Sequence, residues 1–340
     1  MHQCHKIGDY KKRNRTSYIY FDASMKFPKL KKLYLRQNKI ELLMFRNLDS
    51  LNQITPKLTH LYLSENYLTA INLDSLSPTL THLYLDNNNI SQLTIESSNN
   101  SFKVLNINGN QFNELCGHYP GGGCDGILLE KFPQLEYFSI ENVGLRNVSA
   151  NAFLYSSALV YLIMSQNNLS QIENRTFHEL VNLKTLILDD NQLSALPDLS
   201  KLKNLELFSI ARNKISSLRK FDFDKLENLK SLNLSYNLDE IIPGTFNGFE
   251  SLEVLDLSGN KLQTLSTFWI TPKTKLECLF LRNNLFLSFS NLPLTAIKNL
   301  RYVSLAENPL PSIANTKSLM FLSDNVTLDI NGDQLIGDTT

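Results

Sequence analysis

The sequence predicts a repeat solenoid of the α/β class, and three observations predict it. One eleven-residue pattern, L-x-x-L-x-L-x-x-N-x-L, returns twelve times along the 340 residues. Its copies start 22 to 24 residues apart, apart from steps of 28 and 33 residues after the first and fourth. No single copy can bury its own apolar face, whereas stacked copies share one continuous core.

The copies begin at Leu30, Leu58, Leu80, Phe102, Leu135, Leu159, Leu183, Leu205, Leu229, Leu252, Leu276 and Leu300, and a degenerate thirteenth spans Asn325 to Leu335. Within each, the L-x-L stretch reads as a strand: Leu33 and Leu35 enter the core while Tyr34 between them faces out. Apolar residues continue into a returning segment, where one large aromatic recurs as Phe153, Phe177, Phe223 and Phe246. The asparagine at the ninth position suits a side chain whose amide satisfies backbone groups where the strand turns away, so stacked copies should build an asparagine ladder. Two copies depart from the pattern. Val143 replaces the ladder asparagine, and Asp239 stands where the next apolar residue belongs, so local ladder defects are expected at both without a domain break.

These motifs resemble the leucine-rich-repeat family over roughly residues 18 to 335. The resemblance implies a curved horseshoe solenoid with a parallel β-sheet on its concave side and loops and short helical turns on its convex side. The returning phenylalanine, as in "LSQIENRTFHELVN", is similar to the extracellular 24-residue type found in Toll-like receptor ectodomains, and the repeated "LTHLYL" resembles secreted leucine-rich immune proteins of mosquitoes. The organisation expected is an N-terminal flank or partial cap over 1–29, a solenoid over 30–335 with a loop insertion between Cys116 and Cys124, and a tail over 336–340.

Lys plus Arg and Asp plus Glu each number 33, so whole-molecule charge gives no reason to expect a nucleic-acid partner. Basic residues cluster only near the start, at Lys11, Lys12, Arg13 and Arg15 and again at Lys26, Lys29, Lys31 and Lys32, and read as a solvated flank. No apolar run approaches the length of a membrane span. The opening residues lack the apolar core of a signal peptide. The repeat type nevertheless implies an extracellular setting, secreted or as a cell-surface ectodomain. Sequons that suit glycosylation begin at Asn89, Asn99, Asn147, Asn168, Asn174 and Asn325. Asn14 also begins one, and so does Asn233, which should point from the sheet where a glycan would block the surface.

No nucleophile elbow, zinc-protease helix or Walker loop is present, so no catalytic residue, metal or cofactor is expected. Glu65, Asp86, Asp189 and Asp190 read as solvated surface. The binding surface expected is the outward sheet face, with Tyr34, Tyr62 and Tyr84 as an aromatic ladder beside His60 and His82, and an apolar patch of Tyr137, Tyr161, Ile163, Ile187 and Leu207. Exposed aromatics rimmed by polar groups suit protein interfaces, although tyrosine also pairs across strands for packing alone. The histidine pair is open to three readings, a pH-sensitive element, two ligands of an incomplete metal site, or ordinary surface, of which the last is favoured.

The stretch "CGHYPGGGCDG" could nominally supply zinc ligands at Cys116, His118, Cys124 and Asp125, but its three glycines make a loose cage. A Cys116–Cys124 disulfide closing a loop outside the solenoid is favoured. Cys4 and Cys278 are left as single thiols that could link two chains into a homo- or heterodimer. The function expected is a non-catalytic protein-binding module, an innate-immune type of receptor fragment or secreted protein taking a protein or microbial-surface ligand. A cell-adhesion or matrix module and an intracellular regulatory scaffold are the alternatives.

Overall fold

The computed structural model describes residues 11–13, 16–96, 101–117, 126–218, 222–295, 297–311 and 326–330. They fall into two compact units, Met1–Asn167 and Asn168–Thr340. In the first unit, β1 (Lys32–Tyr34), β2 (His60–Tyr62), β3 (His82–Tyr84), β4 (Val104–Asn106), β5 (Tyr137–Ser139) and β6 (Tyr161–Ile163) pair in parallel, each with the next. In the second, β7 (Thr185–Ile187), β8 (Leu207–Ser209), β9 (Ser231–Asn233), β10 (Val254–Asp256), β11 (Cys278–Phe280), β12 (Tyr302–Ser304) and β13 (Thr327–Asp329) do the same. Each unit is therefore a parallel-sheet β-solenoid, and β13 realises the degenerate last copy.

The L-x-L alternation is realised strand by strand. Leu33, Leu61, Leu83, Leu105, Phe138 and Leu162 occupy the middle of their strands and are buried, in register with one another. Phe153, Phe177, Phe223 and Phe246 are each at most 1% exposed, so the returning aromatic is a core residue. On the return path lie short secondary sheets and four 3-10 turns, with no α-helix among the described residues.

After each strand, the residue before the ladder position takes a left-handed conformation. It is Gln37, Glu65, Asn87, Gly109, Asn142, Gln166, Asp190, Arg212, Tyr236, Gly259, Asn283 and Glu307 in turn, with φ between 50° and 66°. Only two of the twelve are glycine, and an L-residue pays about 1–2 kcal/mol for this conformation. The sequence carries no glycine signal for the turn, so it was missed there.

The asparagines offset that cost by closing the turn. Asn66 Oδ1 accepts the N–H groups of Asn38 and Ile40 at 3.0 and 2.9 Å, and its Nδ2 donates to the carbonyls of Leu35, Leu63 and Ser64 at 2.8, 2.9 and 3.2 Å. Asn213 repeats the pattern in the second unit, accepting from Leu193 and donating to Leu188 and Ile210. At Val143 the side chain is lost but the backbone substitutes: the Phe112 N–H donates to the Val143 carbonyl at 3.1 Å. At Asp239 the chain shifts by one residue. Leu238 takes the buried place, and Asp239 turns outward to Lys261 at 2.9 Å.

One glycine is demanded by close approach. Glu114–Cys116 is the central strand of a three-stranded return-path sheet, parallel to Ile127–Leu128 and to Asn147–Val148. A Cβ on Gly126 would sit 2.0 Å from the Glu114 carbonyl oxygen, so the end of the glycine-rich stretch is packed backbone on backbone.

Replacing Asn66 by alanine strands several buried backbone groups and should cost about 2–4 kcal/mol. Asn38, exposed at the first copy, should cost under about 1 kcal/mol on the same change. Urea unfolding midpoints of the two variants check the contrast.

Candidate functional site

The sheet face of the first unit gathers eight of the expected side chains through parallel, in-register pairing. Tyr34, Tyr62 and Tyr84 occupy equivalent positions of β1, β2 and β3. Strand spacing holds their rings at centroid distances of 4.4 and 4.7 Å, with planes 5° and 4° apart. His60 and His82, two residues earlier on the same face, stack at 4.0 Å and 9°. The end ring, Tyr34, is 62% exposed.

Two groups that sequence reading missed complete this face. The Arg36 guanidinium lies over the rings of Tyr62 and Tyr84, at 5.0 and 6.0 Å from their centroids, in cation–π geometry. Thr59 and Thr81 hydroxyls each lie 2.8 Å from Nδ1 of the following histidine. The repeated "LTHLYL" held this signal, since threonine precedes histidine in both copies.

Electrostatics follow from crowding. Burial, then the Tyr34 hydroxyl, raises the Tyr62 phenol above its usual range; for Tyr84 the causes are burial and Tyr137. Burial also holds both imidazoles below theirs, with His82 and Lys32 adding to the effect at His60 and Lys32 at His82.

Of the expected apolar patch, Tyr137, Tyr161 and Ile163 lie in the first unit and Ile187 and Leu207 in the second. Val104 and Asn106 of β4 separate the stacks from Tyr137 and Tyr161, whose rings are tilted by 41° at 6.1 Å. Ile163 ends β6, half-buried. Ile187 and Leu207 belong to the sheet face of the second unit, where each is half-buried; Ile187 is in register with Ser209 and Leu207 with Thr185.

Several outward-reading residues are not solvated surface. Ser139, Ser209 and Ser304 are buried, and their hydroxyls donate to Asn108, Asp189 and Asp329. Asp189 is half-buried and accepts from the Ser209 hydroxyl at 2.6 Å and the Ala211 N–H at 2.8 Å. Burial outweighs those bonds and pushes its carboxyl above the usual range. Asp190 instead forms a two-point ion pair with Arg212, at 2.5 and 2.8 Å. A half-buried pair that no motif announced, His178 and Asp198 at 2.8 Å, lies elsewhere in the second unit. Burial alone would raise Asp198, but the Ser200 N–H and the His178 ring bring it down to about 2.

Of the sequons, Asn89, Asn147, Asn168 and Asn174 are exposed, although Asn147 donates to Glu114 and Asn89 accepts from Gln111. Asn233 is half-buried and accepts from the Ser235 N–H at 3.0 Å. Asn14, Asn99 and Asn325 lie outside the described residues, as do Cys4, His118, Cys124 and Asp125. Cys116 is buried and disulfide-bonded, whereas Cys278 is a free, half-buried thiol on the sheet face. Among the described residues no group of three or more metal-ligating side chains occurs, and no helix is long and apolar enough to cross a membrane.

Family models described as leucine rich repeats match residues 57–78, 133–193 and 237–286. The matched segments are leucine-rich repeats, and the fold of each unit is the one such repeats build. Lumican of Coturnix japonica is 30% identical over 224 residues, which cover 62% of this chain and 63% of lumican. The chain thus matches less than two thirds of that relative's length. Among solved structures, an internalin from Listeria monocytogenes superposes with a TM-score of 0.61 at 19% identity, covering 90% of this chain and 88% of the internalin. Toll, solved with Spatzle from Drosophila, gives 0.64 at 20% identity, covering 86% and 41%. At these identities the structures share the leucine-rich-repeat fold alone.

Asp189→Asn should stabilise this leucine-rich-repeat chain at pH 7. The raised carboxyl opposes folding only where it is ionised. The gain should therefore be full at neutral pH and vanish as pH falls to the ordinary value of 3.8, read as the difference in unfolding midpoints across a pH series.

Proposed function

We propose that the chain is an extracellular recognition module that binds a protein partner across the sheet face of its first unit. The observation that carries this reading is the Tyr34, Tyr62 and Tyr84 stack with Arg36 over it. Tyrosine and arginine are the side chains that dominate binding hot spots. Rings already held by their neighbours lose little freedom when a partner covers them, so more of the contact energy is left for affinity.

Lumican and keratocan, two of the relatives by sequence, are matrix proteoglycans, which supports a matrix or adhesion role at least as well as an innate-immune receptor. An oxidising compartment fits the Cys116 disulfide and weighs against an intracellular scaffold. In this reading Cys116 bridges to Cys124, Cys4 and Cys278 are the candidates for interchain links, and Asn89, Asn99, Asn147, Asn168, Asn174 and Asn325 are the candidate glycan sites.

The immobilised chain should recover a matrix protein that a Tyr62→Ala/Tyr84→Ala/Tyr161→Ala variant does not. A Lys201→Ala/Lys203→Ala variant, altered in the second unit, should still recover it. Equal recovery by the triple variant, with an unchanged circular dichroism spectrum, would refute the assigned face.

Mass spectrometry of the native protein should show Cys116 and Cys124 alkylated only after reduction. Free thiols at both would count against the bridge and the compartment together. A monomer with and without reductant would exclude a covalent dimer.

A further inference from the structure

We propose that the edge strand β1 takes up an extended acidic segment of the partner as one more parallel strand. The inference rests on the reading that this face of the first unit binds a protein. β1 pairs with β2 alone, so its other edge is open. Which groups that edge presents follows from the register of the next pair. The His60 N–H donates to the Lys31 carbonyl and the Leu35 N–H to the Tyr62 carbonyl, so positions 60 and 62 bond back toward β1. Lys32 and Tyr34 are their equivalents, and their N–H and C=O groups point the same way, where no described residue meets them. A row of donors and acceptors of this kind is a template for an added strand.

The core is already closed at this end. Phe21, from the strand Thr16–Asp22 that pairs with Leu42–Arg46, is fully buried, and Leu33 is 3% exposed. What stays open is therefore main chain and one ring face, not an unfinished apolar core. Tyr34 stacks on Tyr62 with one side and is 62% exposed. Its stack repeats at 4.4 and 4.7 Å, close to strand spacing, so an aromatic residue opposite Tyr34 on an added strand would continue it. Charge sets the flanks. Lys26, Lys29, Lys31 and Lys32 are exposed, with no ion-pair partner among the described residues, and Arg36 stands two residues past Tyr34. The segment that fits reads acidic, apolar, aromatic, apolar, acidic. Its carboxylates fall beside Lys32 and Arg36, and its apolar residues alternate to the side on which Leu33 and Leu35 are covered.

The probe is the peptide acetyl-Ser-Glu-Val-Tyr-Val-Glu-Ser-amide, titrated to millimolar concentration into the 15N-labelled full chain. The backbone amide signals of Lys32 and Tyr34 should shift together, with hydrogen exchange slowed at both. The two valines are placed to donate their N–H groups to the Lys32 and Tyr34 carbonyls. N-methylation of both should abolish binding with charge and side chains unchanged, and lysine in place of both glutamates should abolish it too. Tyr34→Ala should weaken binding by about two- to tenfold, the range an aromatic pair contributes. Undiminished binding of the N-methylated peptide, or a footprint without Lys32 and Tyr34, would overturn strand addition in favour of a loose anion-binding patch. No binding at all would overturn it as well. An unmoved edge, beside a partner still lost in the Tyr62→Ala/Tyr84→Ala/Tyr161→Ala variant, removes this inference and leaves the reading of the face intact.

Discussion

Most copies of this chain depend on one interaction, the hydrogen bonding of an asparagine amide to the turn of the copy before it. The turn leaves the sheet through a left-handed residue, and it buries N–H and C=O groups that water cannot reach. A buried unpaired backbone group costs about 1–3 kcal/mol, so a solenoid of such turns would not hold without a partner for each. The amide supplies an acceptor oxygen and two N–H donors at once, whereas an aspartate carboxylate only accepts and a serine hydroxyl has a single donor. The Val143 copy shows that the requirement is for the hydrogen bond and not for the residue, since a main-chain carbonyl meets it.

Satisfying the turn also fixes the sheet. An amide that reaches from one copy into the previous one leaves no freedom for strands to slip, so equivalent residues stand in register. The ring stacks on the face are a consequence: Tyr34, Tyr62 and Tyr84 repeat at the strand spacing because their backbones do. Parallel rings at this distance are thus imposed from below by the ladder. The binding surface is in this sense a by-product of how the core closes.

The repeat pattern made the fold legible because its residues are chosen by core and turn together. Leu33, Leu61 and Phe153 are buried as their spacing required. The left-handed turn was invisible because residues as different as Glu65, Arg212 and Tyr236 occupy it, the ladder having removed the need for glycine. Membership of the face was legible for Tyr34, Tyr62, Tyr84, His60 and His82, since alternation decides it. What those side chains do to each other was not. Arg36 reaches back over the rings from beyond the strand, and Asp189 is enclosed by Ser209 and Ala211 of the following copy. Such contacts join positions 20 to 48 residues apart, where no local pattern links them.

In-register pairing has a further consequence for how such a surface changes over generations. A side chain on the face touches its equivalents in the two adjoining copies before anything else, so the surface is a one-dimensional array of interchangeable tiles. Duplicating one copy inserts another ring into a stack without moving the rest of it. The identical hexapeptides at Leu58–Leu63 and Leu80–Leu85 show what such a step leaves behind, one more tyrosine and one more histidine, each already seated. Recognition in this architecture can therefore be lengthened by copying, whereas its chemistry is altered one tile at a time.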